Sequence, residues 1–295
     1  MKGIIREERV RFASHTEYAN VKSKLLEDSK YAAIGRIITA YDDDACTIFY
    51  NTEEIVPRAA GPHRRKVLLL FKNPHPGSIE TGLYLSAANS KTFWERFFEV
   101  SCNSSLLPLI YGDSWVPDIA GAMVSGDYDS EFVYYFKCLF PFPSRQFNEL
   151  TSLFSSAPVT YRTEIVERSI ADFRAFLRRH GIADVIVFFI DGMRVLAGIS
   201  AAPSGQIMGG IKRGVEEYVA KKSAAGFWRA YDGLKVRTPE GVTFYYNMNT
   251  RAKNHGTHLP KRYFTYNLEF ILQDILVNKG KKSDRGKDKT IEMSI

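Results

Sequence analysis

Asn73, Pro74, His75 and Pro76 stand one residue after an apolar run, Val67 to Phe71, and Thr81-Gly82 follow after four more residues. A side-chain amide can orient a water but is a poor base, so positioning rather than proton abstraction is the chemistry open to Asn73. The plainer role of an Asn before proline is to cap a turn. The loop Lys72 to Asn89 holds two prolines and two glycines, which makes it stiff. The run before it reads as a strand buried on both faces, as in a parallel sheet covered by helices. Ligands of open α/β sheets bind just beyond the carboxyl ends of such strands, which makes this loop the first candidate for an active site.

Other chemistry-bearing clusters say less. Asp42, Asp43 and Asp44 are adjacent, and three adjacent carboxylates cannot all face one ion, so they read as a solvated turn. Cys46, Cys102 and Cys138 are odd in number, far apart and without a C-x-x-C pair, which argues for reduced, intracellular thiols and against a disulfide framework or zinc ribbon.

The surrounding pattern supplies elements to hold the loop. Thr16 to Ile38 has helical spacing that Ser14 or Thr16 can cap, and Cys46 to Tyr50 reads as a short strand. An amphipathic helix is expected around Phe93, Trp94, Phe97 and Phe98, then an irregular stretch from Ser101 to Ser130. Phe132 to Phe136 is a second apolar strand. Thr163 to Arg179 is a strongly amphipathic helix stopped by Gly181, and Asp184 to Ile190 a third buried strand turning at Asp191-Gly192 into a helix, Met193 to Ala197. Ala201 to Gly210 reads as a flexible link and Ile211 to Tyr231 as a helix interrupted near Gly226. Thr238-Pro239-Glu240-Gly241 is a turn between Lys235–Arg237 and Val242–Tyr246, and Tyr263 to Val277 closes the fold as a helix.

With those elements in place, N-P-x-P-x-x-x-x-T-G at Asn73 to Gly82 resembles the first motif of the uracil-DNA glycosylase superfamily, nearest its single-strand-selective and mismatch-specific branches. Lys137-Cys138 with Arg145 and Glu149, the helix–Gly–strand–Gly–helix arrangement around Gly181 and Gly192, and His258-Leu259-Pro260 are similar to later parts of that pattern, in the same order. The resemblance covers roughly 67–277. It implies a three-layer α/β/α sandwich with a short, mainly parallel central sheet, acting without metal or cofactor. The three cysteines exclude the four-cysteine iron–sulfur cluster of some branches.

The resemblance also assigns roles. Hydrolysing an N-glycosidic bond needs an aimed water, stabilised charge on the departing base, and a base held out of the stack. Asn73 would position the water, and His258, or else His255 or Asn249, would meet the oxygen of the departing base. Pro74, Thr81, Gly82, Tyr84 and Tyr135 would line the base site, with Tyr84 or its neighbour Leu85 stacking on the base. Lys137, Arg145, Lys261 and Arg262, with Arg251, would contact phosphates, and Leu259 or Tyr263 would fill the gap left by the flipped nucleotide. Two positions depart from the pattern: Phe71 stands where the family has Gly, and Tyr135 where an Asn reads the uracil face. The second should weaken discrimination for uracil.

Size and charge bound the partners. The 295 residues carry a net charge of +7 and a pI near 9.1, which favours a polyanion without choosing among DNA, RNA and acidic lipid. Between Lys279 and Lys289, six Lys/Arg against two Asp contribute +4 of that total, and this tail is expected to be disordered. No apolar run approaches the roughly 20 residues that span a bilayer, and no signal peptide is visible. The expected organisation is an N-terminal helical extension over 1–56, a glycosylase-like domain over 57–277 and a basic tail over 278–295. The expected function is excision of uracil or another deaminated or damaged base from single- or double-stranded DNA. The alternatives are a DNA-binding member of the same fold that has lost catalysis, and a hydrolase or transferase of a free nucleotide or other small molecule.

Overall fold

The structure, a computed structural model, describes residues 4–59, 61, 63–198, 204–221, 234–248, 253–254, 257–258 and 262–277, the side chains at 204–208, 218, 221, 253–254 and 257–258 excepted. The strands of its main sheet are β1 (Ile5–Arg11), β2 (Ile38–Asp42), β3 (Thr47–Ile55), β4 (Arg65–Phe71), β5 (Phe132–Cys138), β6 (Asp184–Val187), β7 (Lys235–Arg237) and β8 (Thr243–Tyr246). They form one sheet in the order β1-β3-β5-β4-β6-β8-β7, with β2 also paired to β3. β5, β4, β6 and β8 are mutually parallel and make its centre. Val67 to Leu70, Phe132 to Tyr134 and Val185 to Val187 are fully buried, because helices cover both faces.

One cover is the helix Arg168–His180, whose Phe176 meets Tyr135 edge-on. The other is built from Thr92–Phe98 and Arg262–Val277. Trp94 and Phe97 pack on Phe136, and Phe264 packs on both Phe93 and Phe188. The α/β class expected from alternating apolar runs and amphipathic helices is therefore the observed one.

Several boundaries differ. The N-terminal segment is not a helical extension: besides the helix His15–Glu27, capped by the Ser14 hydroxyl, it contributes β1, β2 and β3. β3 pairs with β5 at Glu54↔Lys137 and Ile55↔Phe136, so this segment belongs to the same sheet as the rest of the chain. The stretch expected to be irregular holds a 3-10 segment, Ser101–Tyr111, and the helix Trp115–Ser125. Pro117 lies in that helix's first turn, where a missing N–H costs nothing. Part of the expected flexible link is helical, within Ser204–Lys221. The hairpin β7–β8 forms as expected. The tail over 278–295 lies outside the described residues.

Candidate functional site

β4 enters the sheet first among the parallel strands, and its successors fall on opposite sides of it, β5 on one and β6 on the other. The order of the sheet thus reverses at β4, and the carboxyl end of such a strand is where open α/β sheets take their ligands. The loops after β4 and β5 remain zipped together there. Leu139 N–H donates to the Phe71 carbonyl at 2.8 Å, Phe140 N–H to Lys72 at 2.9 Å, and Ser144 N–H to Pro74 at 3.0 Å.

That zipper fixes Asn73. Its Nδ2 donates to the Ser144 carbonyl at 2.8 Å and to the Ser144 hydroxyl at 2.9 Å. Two donated hydrogens use the whole –NH2 group, so Oδ1 is left as the accepting end, and turning the amide over would set Oδ1 against the Ser144 carbonyl, which can only accept. Ser144 is fully buried, which makes it a firm anchor.

The rest of the first motif forms a small rigid frame. Pro74 is buried, and His75 caps the helix Pro76–Thr81 by accepting the Gly77 N–H on Nδ1 at 3.1 Å. Pro76 opens that helix and Gly82 closes it at φ +82°, a left-handed conformation that glycine adopts without strain. Thr81 donates its hydroxyl to the Ser78 carbonyl at 2.9 Å and touches the Ser86 hydroxyl. Thr81 and Gly82 therefore hold the turn. Beyond them Leu85, Ala88 and Asn89 all have positive φ, the strained backbone that accumulates around functional loops.

Tyr84 does not lie open beside this loop. It is 1% exposed, its ring packs on Phe71 and Phe136, its hydroxyl donates to the Glu53 carbonyl, and its own carbonyl accepts the Trp94 indole N–H at 2.7 Å. It is a core residue, packed into the aromatic cluster of β4 and β5. Its neighbour Leu85, half-buried, is the loop's more accessible apolar side chain.

Tyr135 is displaced from its expected place altogether. β5 runs on to Cys138, so Tyr135 lies in mid-strand, opposite Leu68, and its ring faces Phe176 and His180 on the far face of the sheet. The residue at the strand's end, opposite Phe71, is Cys138, whose thiol burial pushes well above its ordinary pKa. Lys137 is likewise no phosphate contact. Buried at the sheet, its ammonium pairs with Glu54 and lies 4.8 Å from the Phe176 ring centre. A charge that deep is held by its partner and by burial, and does not reach a rim.

Arg145 lies in the loop after β5. Half-exposed, it donates to Glu149 at 3.0 and 2.6 Å and to the Lys30 carbonyl at 2.8 Å, and the bond to the Glu149 carboxylate raises its pKa further. Lys72, in the loop after β4, pairs at 3.0 Å with Asp191 in the helix after β6. Sequence reasoning had given no role to Ser144, Lys72 or Asp191; the first lies inside the Phe140–Arg145 stretch, where only its partner in space marks it out. Gly192 lets the helix Ile190–Ala197 start tightly, since a Cβ there would come within 2.6 Å of the Phe189 ring.

The carboxyl ends of β4 and β6 meet in a buried aromatic pair. Phe71 and Phe188, one residue beyond β6, stack face to face with centroids 4.7 Å apart and planes 6° from parallel. Phe71 thus fills the volume that a glycine would leave.

The late motif is only partly described. His258 lies in the two-residue strand Thr257–His258, paired antiparallel with Lys253–Asn254. Asn249, Arg251, His255, Leu259 and Lys261 lie outside the described residues. Arg262 is exposed at the start of the last helix, over the Tyr263 ring at 5.8 Å. Between β8 and that helix, buried Asn247 donates its N–H to the Val187 carbonyl at 3.0 Å and accepts from Asn267. Among the described residues no group of His, Cys, Asp and Glu is arranged to hold a metal ion, and no helix is long and apolar enough to cross a membrane. No protein-family model and no curated protein matches the chain.

Proposed function

We propose that the protein is an N-glycosyl hydrolase of DNA, excising uracil or another deaminated or damaged base that has been turned out of the duplex or strand. The observation that supports this reading is the Asn73 amide, fixed by Ser144 so that Oδ1 is its accepting end at the sheet's switch point. A water that donates one hydrogen to Oδ1 keeps its lone pairs free. That suffices for attack on C1′ when the sugar is already cationic in the transition state, so a strong base is not needed. The proton then leaves to solvent or to the departing base, and His258 is the group proposed for the oxygen of that base. Arg145 and Arg262 are proposed for phosphates at the mouth.

The test is direct. Oligonucleotides bearing single uracil, hypoxanthine or oxidised bases are incubated with the protein and then treated with alkali. Abasic sites that form with wild-type protein and not with Asn73→Ala support the reading. Salt-dependent DNA binding with no abasic site on any lesion favours a second reading, a catalytically silent DNA-binding relative of that fold. Its supporting observation is the Phe71 ring stacked where substrate would approach. Absence of salt-dependent DNA binding leaves a hydrolase or transferase of a free nucleotide or small molecule.

A further inference from the structure

We propose that the Glu53 carboxyl recognises the base itself, through a paired hydrogen bond to a C=O and the adjacent N–H of a lactam ring such as uracil; this rests on the reading above only in that the site takes a nucleobase. Glu53 is on β3, which runs antiparallel to β5, and it follows the pair Glu54↔Lys137 level with Cys138. Cys138 is in turn opposite Phe71 on β4. Glu53, Cys138 and Phe71 thus form a row across the carboxyl end of the parallel strands, at the level from which Asn73 departs. Two strand spacings separate Glu53 from β4, about 10 Å.

The environment of this carboxyl is unusual. Glu53 is 3% exposed and its Oε2 is buried without a hydrogen-bond partner. The cations nearby serve its neighbour instead: both Arg6 and Lys137 pair with Glu54. The helix Pro76–Thr81 packs against β3 and carries a second such group, Ser78, 1% exposed with its hydroxyl unpartnered. Native interiors leave few polar atoms unsatisfied, and two beneath one loop beside a candidate site mark a place where a ligand supplies the missing bonds.

Burial without a cation disfavours the charged form and raises the pKa of this carboxyl well above the ordinary value, which favours the neutral acid. A neutral carboxyl offers a donor and an acceptor side by side. Its O–H donates to the ring C=O while its C=O accepts the ring N–H, and no proton is transferred. The expected reader of that face, Tyr135, lies on the other side of the sheet, so this function falls to a different strand.

The test uses the wild-type protein carrying carbon-13 at glutamate carboxyls, with the Glu53 resonance assigned by its loss in Glu53→Gln. Free uracil is the ligand and 3-methyluracil, which lacks the N–H, the control. At pH 7 the resonance should lie at the protonated position, shift on adding uracil, and stay fixed with 3-methyluracil. Glu53→Gln, which keeps a donor and an acceptor, should retain uracil binding within about tenfold, and Glu53→Leu should lose it. An ionised resonance at pH 7, or one that ignores uracil or responds equally to both compounds, overturns the proposal even where base excision is intact. A uracil response with no abasic sites on any lesion removes the glycosylase reading and sustains this one.

Discussion

The Asn73 amide and Ser144 form a two-point clamp, –NH2 to carbonyl and –NH2 to hydroxyl, across the loops that follow β4 and β5. Each half of the clamp has its own consequence. Ser144→Ala removes the hydroxyl and spares the carbonyl, so the amide keeps one anchor and loses angular definition. Single-turnover excision should fall about tenfold, one neutral hydrogen bond's worth, with DNA affinity unchanged. Asn73→Asp should abolish excision, since a carboxylate cannot donate to the Ser144 carbonyl.

Phe71 and Phe188 should report on each other. Truncating either to Ala should cost about 3–5 kcal/mol in urea unfolding, the range for emptying a buried aromatic site. The double variant should cost less than the sum by about 0.5–1.5 kcal/mol, the coupling of a stacked pair.

Lys137 and Glu54 make a second pair with a measurable sign. Lys137→Met leaves the Glu54 carboxylate with only the more exposed Arg6, and should destabilise by about 3 kcal/mol. Adding Glu54→Leu should recover much of that loss. Salt-dependent DNA affinity should be the same in all three proteins, because Lys137 is interior.

The pH dependence of stability should carry the mark of Glu53. Its folded-state pKa is raised by burial above the ordinary value of 4.5. The unfolded chain therefore releases the proton first as pH rises, and ionisation favours unfolding. Stability associated with this group is complete below about 4.5 and is lost as pH climbs toward the folded pKa. Glu53→Gln should be more stable than wild type at pH 7, should lose that advantage by pH 4, and should flatten the decline between; thermal unfolding across this range reads it directly.

What could be seen in the sequence was what burial writes into it. Val67–Phe71 and Asp184–Val187 announced themselves as apolar runs because helices cover both their faces, and Asn73 stood out because prolines stiffen the loop after the first of them. β1 was hidden because Ile5–Arg11 carries charges along its length, and β3 was read only as far as Tyr50 because Asn51, Glu53 and Glu54 interrupt its apolar residues. Tyr135 was misplaced for a related reason. The aromatic run ends at Phe136, but β5 continues through Lys137, which is buried by virtue of a carboxylate far away in the chain. Such partnerships are settled by topology, so a Glu in a strand reads as solvent-facing until its neighbours are known. Ser144 and Glu53 could be recognised only by what lies next to them.

The pairing of β3 with β5 also bears on what may be removed from the chain. Cutting away the first 56 residues would strip β5 of its hydrogen-bonded neighbour along Phe136–Lys137 and leave the Lys137 ammonium without its counter-ion, in a strand whose side chains are otherwise apolar. Such a remnant would present an open ladder to the next molecule in solution, the usual start of self-association. The amino-terminal strands thus protect the central sheet from itself, and a shortened protein should be recovered as aggregate.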